Sequence, residues 1–287
     1  MKTVIIDKPD QELKVKNRQL MIGAQGVPFR LIDLLVVAND TIISSSTLLK
    51  LTQEEIAILM VTKNNSHFAL TLPYIAKNSE LKVQQYKALE QRLNIAKYVV
   101  LQKINTHSDH LRRFGIQTDI EVWRQKVDSA ETVDDLLGYE GAFSRWYFKH
   151  YFGLLPKIFH KGIRSKRPAL DPVNAILSYM YSIVYNVLTY RLVLAGFDPA
   201  ISYLHTPFRS HFALSSDFME FFRAGINDKV QEWFHDDMFK LDDFYKKNGV
   251  FLRYEKRKEL WRHIKDYIVS IQPECRHQIS MLRTALS

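Results

Sequence analysis

Apolar positions in the first 73 residues fall in short runs of strand length. "TVIID" (3–7), "ELKVKN" (12–17) and "QLMIGA" (19–24) alternate or cluster β-branched and apolar side chains between turn signals. "RLIDLLVVAND" (30–40) and "AILMVTKNN" (57–65) are apolar runs ending in Asn/Asp turns, and "HFALTLP" (67–73) closes the series. "SSTLLKLTQEE" (45–55) predicts a short helix opened by Ser45 or Ser46. The pattern predicts a small β domain of roughly five to seven strands.

After Pro73 the apolar spacing becomes helical. Helices are predicted over about 79–114, 118–128, 131–154, 171–196, 209–238 and 256–284, with almost no strand signal between them. The greasiest run, 175–196, is long enough to suggest a membrane span. It carries Ser178, Asn186, Thr189, Arg191 and four tyrosines, so it reads as a helix buried in a soluble domain. The expected class is α+β: a small N-terminal β domain (1–75) followed by a larger all-α domain (76–287).

With 46% hydrophobic and 12% aromatic residues, the 287-residue chain can bury a large core, and disorder is excluded. A net charge of +9 points toward an acidic partner such as nucleic acid. Residues 1–75 hold 8 basic and 7 acidic side chains, so nearly all the excess lies in the helical part. The single Cys275 excludes an intrachain disulfide or a multi-cysteine zinc site, and suits a reducing cytosol. The N-terminal stretch has no signal-peptide h-region, so a cytoplasmic protein is expected.

Candidate chemistry sits in three stretches. In "GYEGAFSRWYF" (138–148), Glu140 lies between Gly138 and Gly141 inside a helical pattern, which suggests that another backbone or a ligand approaches closely. In "GFDPAISYLHTPFR" (196–209), His205 follows a loop. In "SSDFMEFFR" (215–223), a continuous helix at about 100° per residue places Phe218, Met219 and Phe222 on one arc, with Asp217 and Glu220 roughly 60° apart on the other. The same Asp-x-x-Glu after two serines is also the shape of a capping box. Glu, His and Asp/Glu together make a mixed oxygen–nitrogen site suited to Mg²⁺ or Mn²⁺.

These stretches resemble the CRISPR-associated integrase family Cas-one, the catalytic subunit of spacer acquisition. "EGAFSRWYF" is similar to that family's Glu-Gly segment, and "RPALDPVNAILSYMYSIVYNVL" to its Arg-x-Pro…Asn helix. "GFDPAISYLHTP…FALSSDFMEFFR" is similar to its Gly-x-Asp-Pro…His…Asp-Leu-Met-Glu segment. The resemblance covers about 135–225 and weakens toward 265. Ser202 stands where the family often has Gly, and Phe221 and Ala224 where it often has Pro; none is a ligand position.

The resemblance implies an N-terminal β-sandwich that dimerises and an all-helical catalytic domain. It implies that Glu140, His205 and Glu220 hold a metal, with Asp217 an acid of the same pocket, either supporting the ligands or helping a second metal. It also implies insertion of short DNA fragments into a CRISPR array by 3′-OH transesterification. Homodimers bridged in pairs by a Cas-two dimer are implied as well. The partners are then a prespacer fragment and the CRISPR repeat, with no membrane. The alternative is a metal-dependent nuclease of the same fold acting in repair or on mobile DNA.

Transesterification needs no nucleotide triphosphate, and the sequence has no P-loop motif. In "HKGIRSKRP", Lys161, Arg164, Lys166 and Arg167 are expected to follow the DNA backbone, with His107, His110, Arg112 and Arg113 a weaker second cluster. Clustered carboxylates repel when no cation is present, so Glu220→Gln is expected to leave metal-free stability level or raise it.

Overall fold

The computed structural model describes residues 2–6, 10–61, 68–71, 79–206 and 212–286. Contacts divide the chain into two compact units, 1–79 with 258–274, and 80–257 with 275–287. The expected boundary between 75 and 76 lies outside the described residues. Residues 258–274, assigned by sequence to the helical part, group with the first unit.

The first unit holds two four-stranded sheets. In one, β1 (Lys2–Ile6) pairs parallel with β5 (Ile32–Val37), which pairs parallel with β7 (Ala57–Val61); β8 (Phe68–Thr71) completes it antiparallel. In the other, the order is β4 (Gln25–Pro28), β3 (Gln19–Ile22), β2 (Gln11–Lys16) and β6 (Thr41–Ile43), the last pairing parallel to β2. Leu13 and Leu20 of this sheet join Leu35, Val37 and Ile58 of the first in one apolar core.

Leu34 and Val36, on the other face of β5, are equally buried, as a parallel strand covered on both sides requires. Helix α1 (Ser45–Gln53) is capped by Ser44, whose side chain accepts from the Thr47 N–H at 3.2 Å, one residue earlier than expected.

In the second unit the predicted 79–114 helix is two: α2 (Ser79–Lys87) and α3 (Arg92–Arg112), separated by a 3₁₀ turn over Ala88–Gln91. Then come α4 (Ile120–Asp128) and α5 (Val133–Gly153), the latter opened by a capping box between Thr132 and Asp135. The apolar run becomes α6 (Pro172–Leu194), with Asp171 as N-cap and Pro172 in the first turn. Among the described residues, no helix is long and apolar enough to cross a membrane.

The predicted 209–238 helix is also broken. Its helical residues form α7 (Ala213–Met219) and α8 (Arg223–His235), and residues 207–211 lie outside the described ones. Between the helices, the N–H groups of Glu220, Phe221 and Phe222 donate three residues back, a tighter turn than the α-helix allows. A hairpin, β9 (Phe244–Lys246) and β10 (Val250–Leu252), was not foreseen; its signal was Asn248-Gly249 between Phe244-Tyr245 and Val250-Phe251-Leu252. Helices α9 (Tyr254–Ser270) and α10 (Gln272–Leu286) close the chain, the latter burying Cys275.

Candidate active site

Glu140, His205 and Glu220 come together in the second unit. They line one cavity of about 690 Å³ with Lys103, His107, Arg145, Lys149, Arg164, Lys166 and Arg223. Glu140 comes from the middle of α5, where Ser144, one turn on, donates to its Oε1 at 2.8 Å. Glu220 sits in the turn between α7 and α8 and is 2% exposed. The Arg223 Nε–H donates to its Oε1 at 2.8 Å.

The Lys103 ammonium, reaching in from α3, bridges the two carboxylates. It donates to Glu140 Oε1 and lies 2.8 Å from Glu220 Oε2. Glu220 Oε2 makes no aligned hydrogen bond, although that ammonium is beside it. Burial opposes ionisation of Glu220, but Arg223 and Lys103 outweigh it and hold the carboxyl well below the usual range. Burial likewise opposes the charge on Lys103, and Glu220 and Glu140 reverse it, raising the pKa. Glu140 is drawn down by Lys103 against its own burial.

Asp217 does something different from Glu220. It is 2% exposed and does not line this cavity. Its Oδ2 accepts from the Tyr203 N–H at 2.7 Å and the Leu204 N–H at 3.0 Å. Its Oδ1 accepts from the His205 N–H at 2.9 Å and the His205 ring Nδ1–H at 2.8 Å. Of the two roles left open for Asp217, this geometry supports positioning.

Because Nδ1 carries the hydrogen, the neutral ring presents Nε2 as a lone pair, the arrangement in which a carboxylate orients a metal-binding imidazole. Burial disfavours the charged ring, yet the Asp217 bond and nearby Glu220 carry the His205 pKa above its ordinary value.

The single-face picture of 215–223 is therefore corrected. Every residue from Ser215 to Glu220 is buried, and the break after Met219 turns the two acids to different tasks. The capping box is absent too: the N-cap of α7 is Phe212, without a side-chain cap, and the Ser215 hydroxyl accepts from Thr189 at 2.8 Å. Among the described residues, no backbone closes on the glycines beside Glu140. A Cβ at Gly138 would meet nothing within 4 Å, and one at Gly141 only Arg145 Nη1 at 3.7 Å.

The loop before α6 is held from beneath. The Asn174 Nδ2–H donates to the Ile163 carbonyl at 2.8 Å, and Asn174 Oδ1 accepts from the Ser165 N–H at 3.0 Å and Arg164 Nη1 at 2.8 Å. Asp171 Oδ2 accepts from the Lys161 N–H at 3.1 Å. Arg164 lines the cavity as a half-buried strut, whereas Lys166 lines it with an exposed side chain; Lys161 and Arg167 are exposed and do not line it.

From the far side, the Val250 N–H of the hairpin donates to the Ala169 carbonyl at 2.8 Å. Gly249 (φ +146°) leaves room where a Cβ would stand 3.0 Å from Pro168 Cβ. The second basic cluster divides: His107 and His110 are buried, whereas Arg112 and Arg113 stay exposed and pair with Asp109 and Asp228.

Two carboxylates and an imidazole suit Mg²⁺ or Mn²⁺, and Glu220 Oε2 is a buried oxygen with a lone pair to give, so the donor chemistry fits. Among the described residues, however, no three Asp, Glu, His or Cys side chains stand at metal-holding spacing. Lys103 takes the point where Glu140 and Glu220 meet. Lys103, Arg223, Arg145 and Lys149 were not identified from sequence. The available signal was a lysine on the apolar stripe Ala96, Val99, Val100, Ile104 and Leu111. A second cavity, of about 340 Å³ beside Asp217, is lined mainly by Tyr98, Phe218, Phe221 and other uncharged residues. Its one acid is already engaged by the 203–205 loop.

The family model of the CRISPR associated protein Cas1 matches residues 4–266. A CRISPR-associated endonuclease Cas1 of Thermodesulfovibrio yellowstonii is 30% identical over 284 residues, covering 91% of this chain and 89% of that protein. A CAS1 protein from Thermotoga maritima has a similar structure, with TM-score 0.90 at 20% identity over 100% of this chain and 97% of that one. A casposase bound to integration product gives TM-score 0.79 at 21% identity, covering 93% and 82%. A Cas6-RT-Cas1–Cas2 complex gives TM-score 0.81 at 20% identity, covering 99% of this chain and 34% of that one. At these identities the structural likenesses concern the fold.

Proposed function

The chain belongs to the family of the CRISPR associated protein Cas1, and on that premise we propose that it is a metal-dependent DNA integrase and endonuclease. It inserts short DNA fragments into a CRISPR array by attack of a DNA 3′-hydroxyl on a phosphodiester. The observation that carries this reading is the convergence of Glu140, Glu220 and His205 on a single cavity walled by cationic side chains.

Glu140, His205 and Glu220 would hold Mg²⁺ or Mn²⁺, which when bound neutralises charge on the phosphodiester and eases ionisation of the attacking hydroxyl. Asp217 holds the His205 ring through Nδ1, so that Nε2 is the nitrogen with the lone pair. Arg145, Lys149 and Lys166 line the cavity, where they attract the DNA backbone and balance the charge gathered on phosphoryl oxygens. Water in place of the 3′-hydroxyl gives cleavage by the same site. The relative from Thermodesulfovibrio yellowstonii carries the name endonuclease, and the casposase of similar fold is described with an integration product, both in keeping with this chemistry.

The protein works in the cytoplasm as a homodimer, two dimers being bridged by a Cas-two dimer that brings active sites to both ends of a DNA fragment. Exposed Ile42 and Leu49 supply apolar surface on the β unit for self-association. The Cas1–Cas2 complex of similar fold is in keeping with the second partner.

The test is strand transfer of a short duplex with free 3′-ends into a plasmid carrying the repeat. EDTA should abolish the reaction, and Mn²⁺ or Mg²⁺ in excess of chelator should restore it. Undiminished transfer in excess EDTA would remove the metal from the mechanism.

A further inference from the structure

We propose that Lys103 is the resident cation of this site: its ammonium holds Glu140 and Glu220 together in the metal-free protein, and leaves that point when the carboxylates take a divalent ion. The inference rests on the metal-dependent reading above.

A buried lysine on an apolar helix stripe needs a charged partner, and Lys103 has two. Without it, two carboxylates would face each other in a buried pocket, and Arg223 is paired with Glu220 alone. With it, two anions meet two cations and the group is neutral.

The same contacts show how the exchange can occur. Arg223 binds Glu220 through Oε1, whereas Lys103 faces Oε2, so Arg223 can stay while Oε2 changes partner. Glu140 keeps its Ser144 hydrogen bond as an anchor. Lysine carries a compact charge on a flexible four-carbon stem. Lys103 lines the cavity, so rotation of that stem moves the ammonium into open space without breaking the helix. Adding a divalent ion while Lys103 stayed in place would leave these groups with more surplus positive charge than displacing it does, so the exchange lessens the surplus. The metal affinity of the protein is then lowered by the work of displacing its own lysine.

Two measurements test this. Mn²⁺ binding is followed by the loss of the free-ion EPR signal, in the wild type and in Lys103→Met, which keeps length and removes charge. The variant should bind Mn²⁺ at least tenfold more tightly. Equal or weaker binding by a folded variant overturns the proposal.

Because Lys103→Met removes the cation shared by Glu140 and Glu220, the second measurement uses the wild type. Lys103 is labelled with a small amine-reactive reagent in EDTA and in saturating Mn²⁺, and quantified by peptide mass spectrometry. Labelling should rise several-fold in Mn²⁺. If Mn²⁺ binds stoichiometrically and labelling of Lys103 does not change, the lysine stays in place and the proposal fails alone. If neither protein binds Mn²⁺, the metal-dependent reading itself fails and the exchange falls with it.

Discussion

Asp217 holds His205 by main chain and ring together: its Oδ1 accepts from the His205 N–H at 2.9 Å and from the ring Nδ1–H at 2.8 Å. Its other oxygen takes the N–H groups of Tyr203 and Leu204. One buried carboxylate on α7 therefore orders the loop, sets the imidazole tautomer and raises the charge affinity of the ring.

Asp217→Asn tests that link. An amide keeps one acceptor but turns an N–H₂ toward the other donors. Strand transfer should fall about 10–100-fold, the range for loss of a carboxylate behind a metal-binding histidine. The His205 pKa should drop, read by NMR titration of the metal-free protein. A raised folded pKa contributes stability that is fully present below the unfolded value of about 6.5 and lost as pH rises through the folded value. The stability gap between wild type and variant should therefore narrow from pH 5.5 to pH 8.5 in EDTA. An equal gap at both would mean that Asp217 does not act through the charge on His205.

Lys166→Ala and Arg164→Ala should part company. Lys166 lines the cavity with an exposed side chain, so its loss should weaken binding to unrelated duplexes alike and lower the salt slope by about 0.9. Arg164 is tied to Asn174 and Ser178. Its loss should cost about 1–2 kcal/mol of stability in thermal melts, because Asn174 and half-buried Ser178 each lose a charged donor. Matched effects of the two variants on both readouts would contradict these separate roles.

Gly249→Ala probes the support under the basic loop. The new Cβ would meet Pro168 at 3.0 Å in a backbone conformation that side chains rarely adopt. The Ala169 contact should loosen, and DNA affinity should fall several-fold while Mn²⁺ binding is unaltered. Unchanged DNA affinity would show that the hairpin does not position the loop.

The readable parts of this site share a physical reason. Glu140 and Glu220 stood out because an acid among glycines or phenylalanines is locally anomalous, and the β unit because strands have period two. Lys103 was hidden because its meaning depends on carboxylates brought to it by α5 and by the turn before α8. The break at Glu220 was missed because "FMEFFR" contains no Gly or Pro, so nothing local marks a tightened turn. Residues 258–274 read as ordinary helix; membership of the β unit is a long-range property that periodicity does not encode.

Glu220→Gln reverses the expectation formed from sequence. Repulsion between carboxylates would make the substitution neutral or stabilising without metal. In the folded protein Glu220 instead accepts from Arg223 and pairs with Lys103, and both raise its tendency to ionise. Removing the anion leaves buried Lys103 with Glu140 alone and half-buried Arg223 without its carboxylate, so the melt in EDTA should show a loss of about 3–5 kcal/mol, the cost of breaking a buried ion pair. The sign with pH follows from the depressed folded pKa. The contribution of Glu220 is present above the unfolded value of about 4.3 and is lost only as pH falls through a folded value far beneath it. The gap should thus hold from pH 7 down to pH 5 and narrow in stronger acid. With Mn²⁺ present, the variant should also lose most of the metal-induced stabilisation and at least 100-fold in strand transfer. A wild-type melt in EDTA would mean that the pairs with Lys103 and Arg223 contribute nothing. Wild-type turnover beside a lowered melt would assign Glu220 to the scaffold and leave Glu140 and His205 to carry the chemistry.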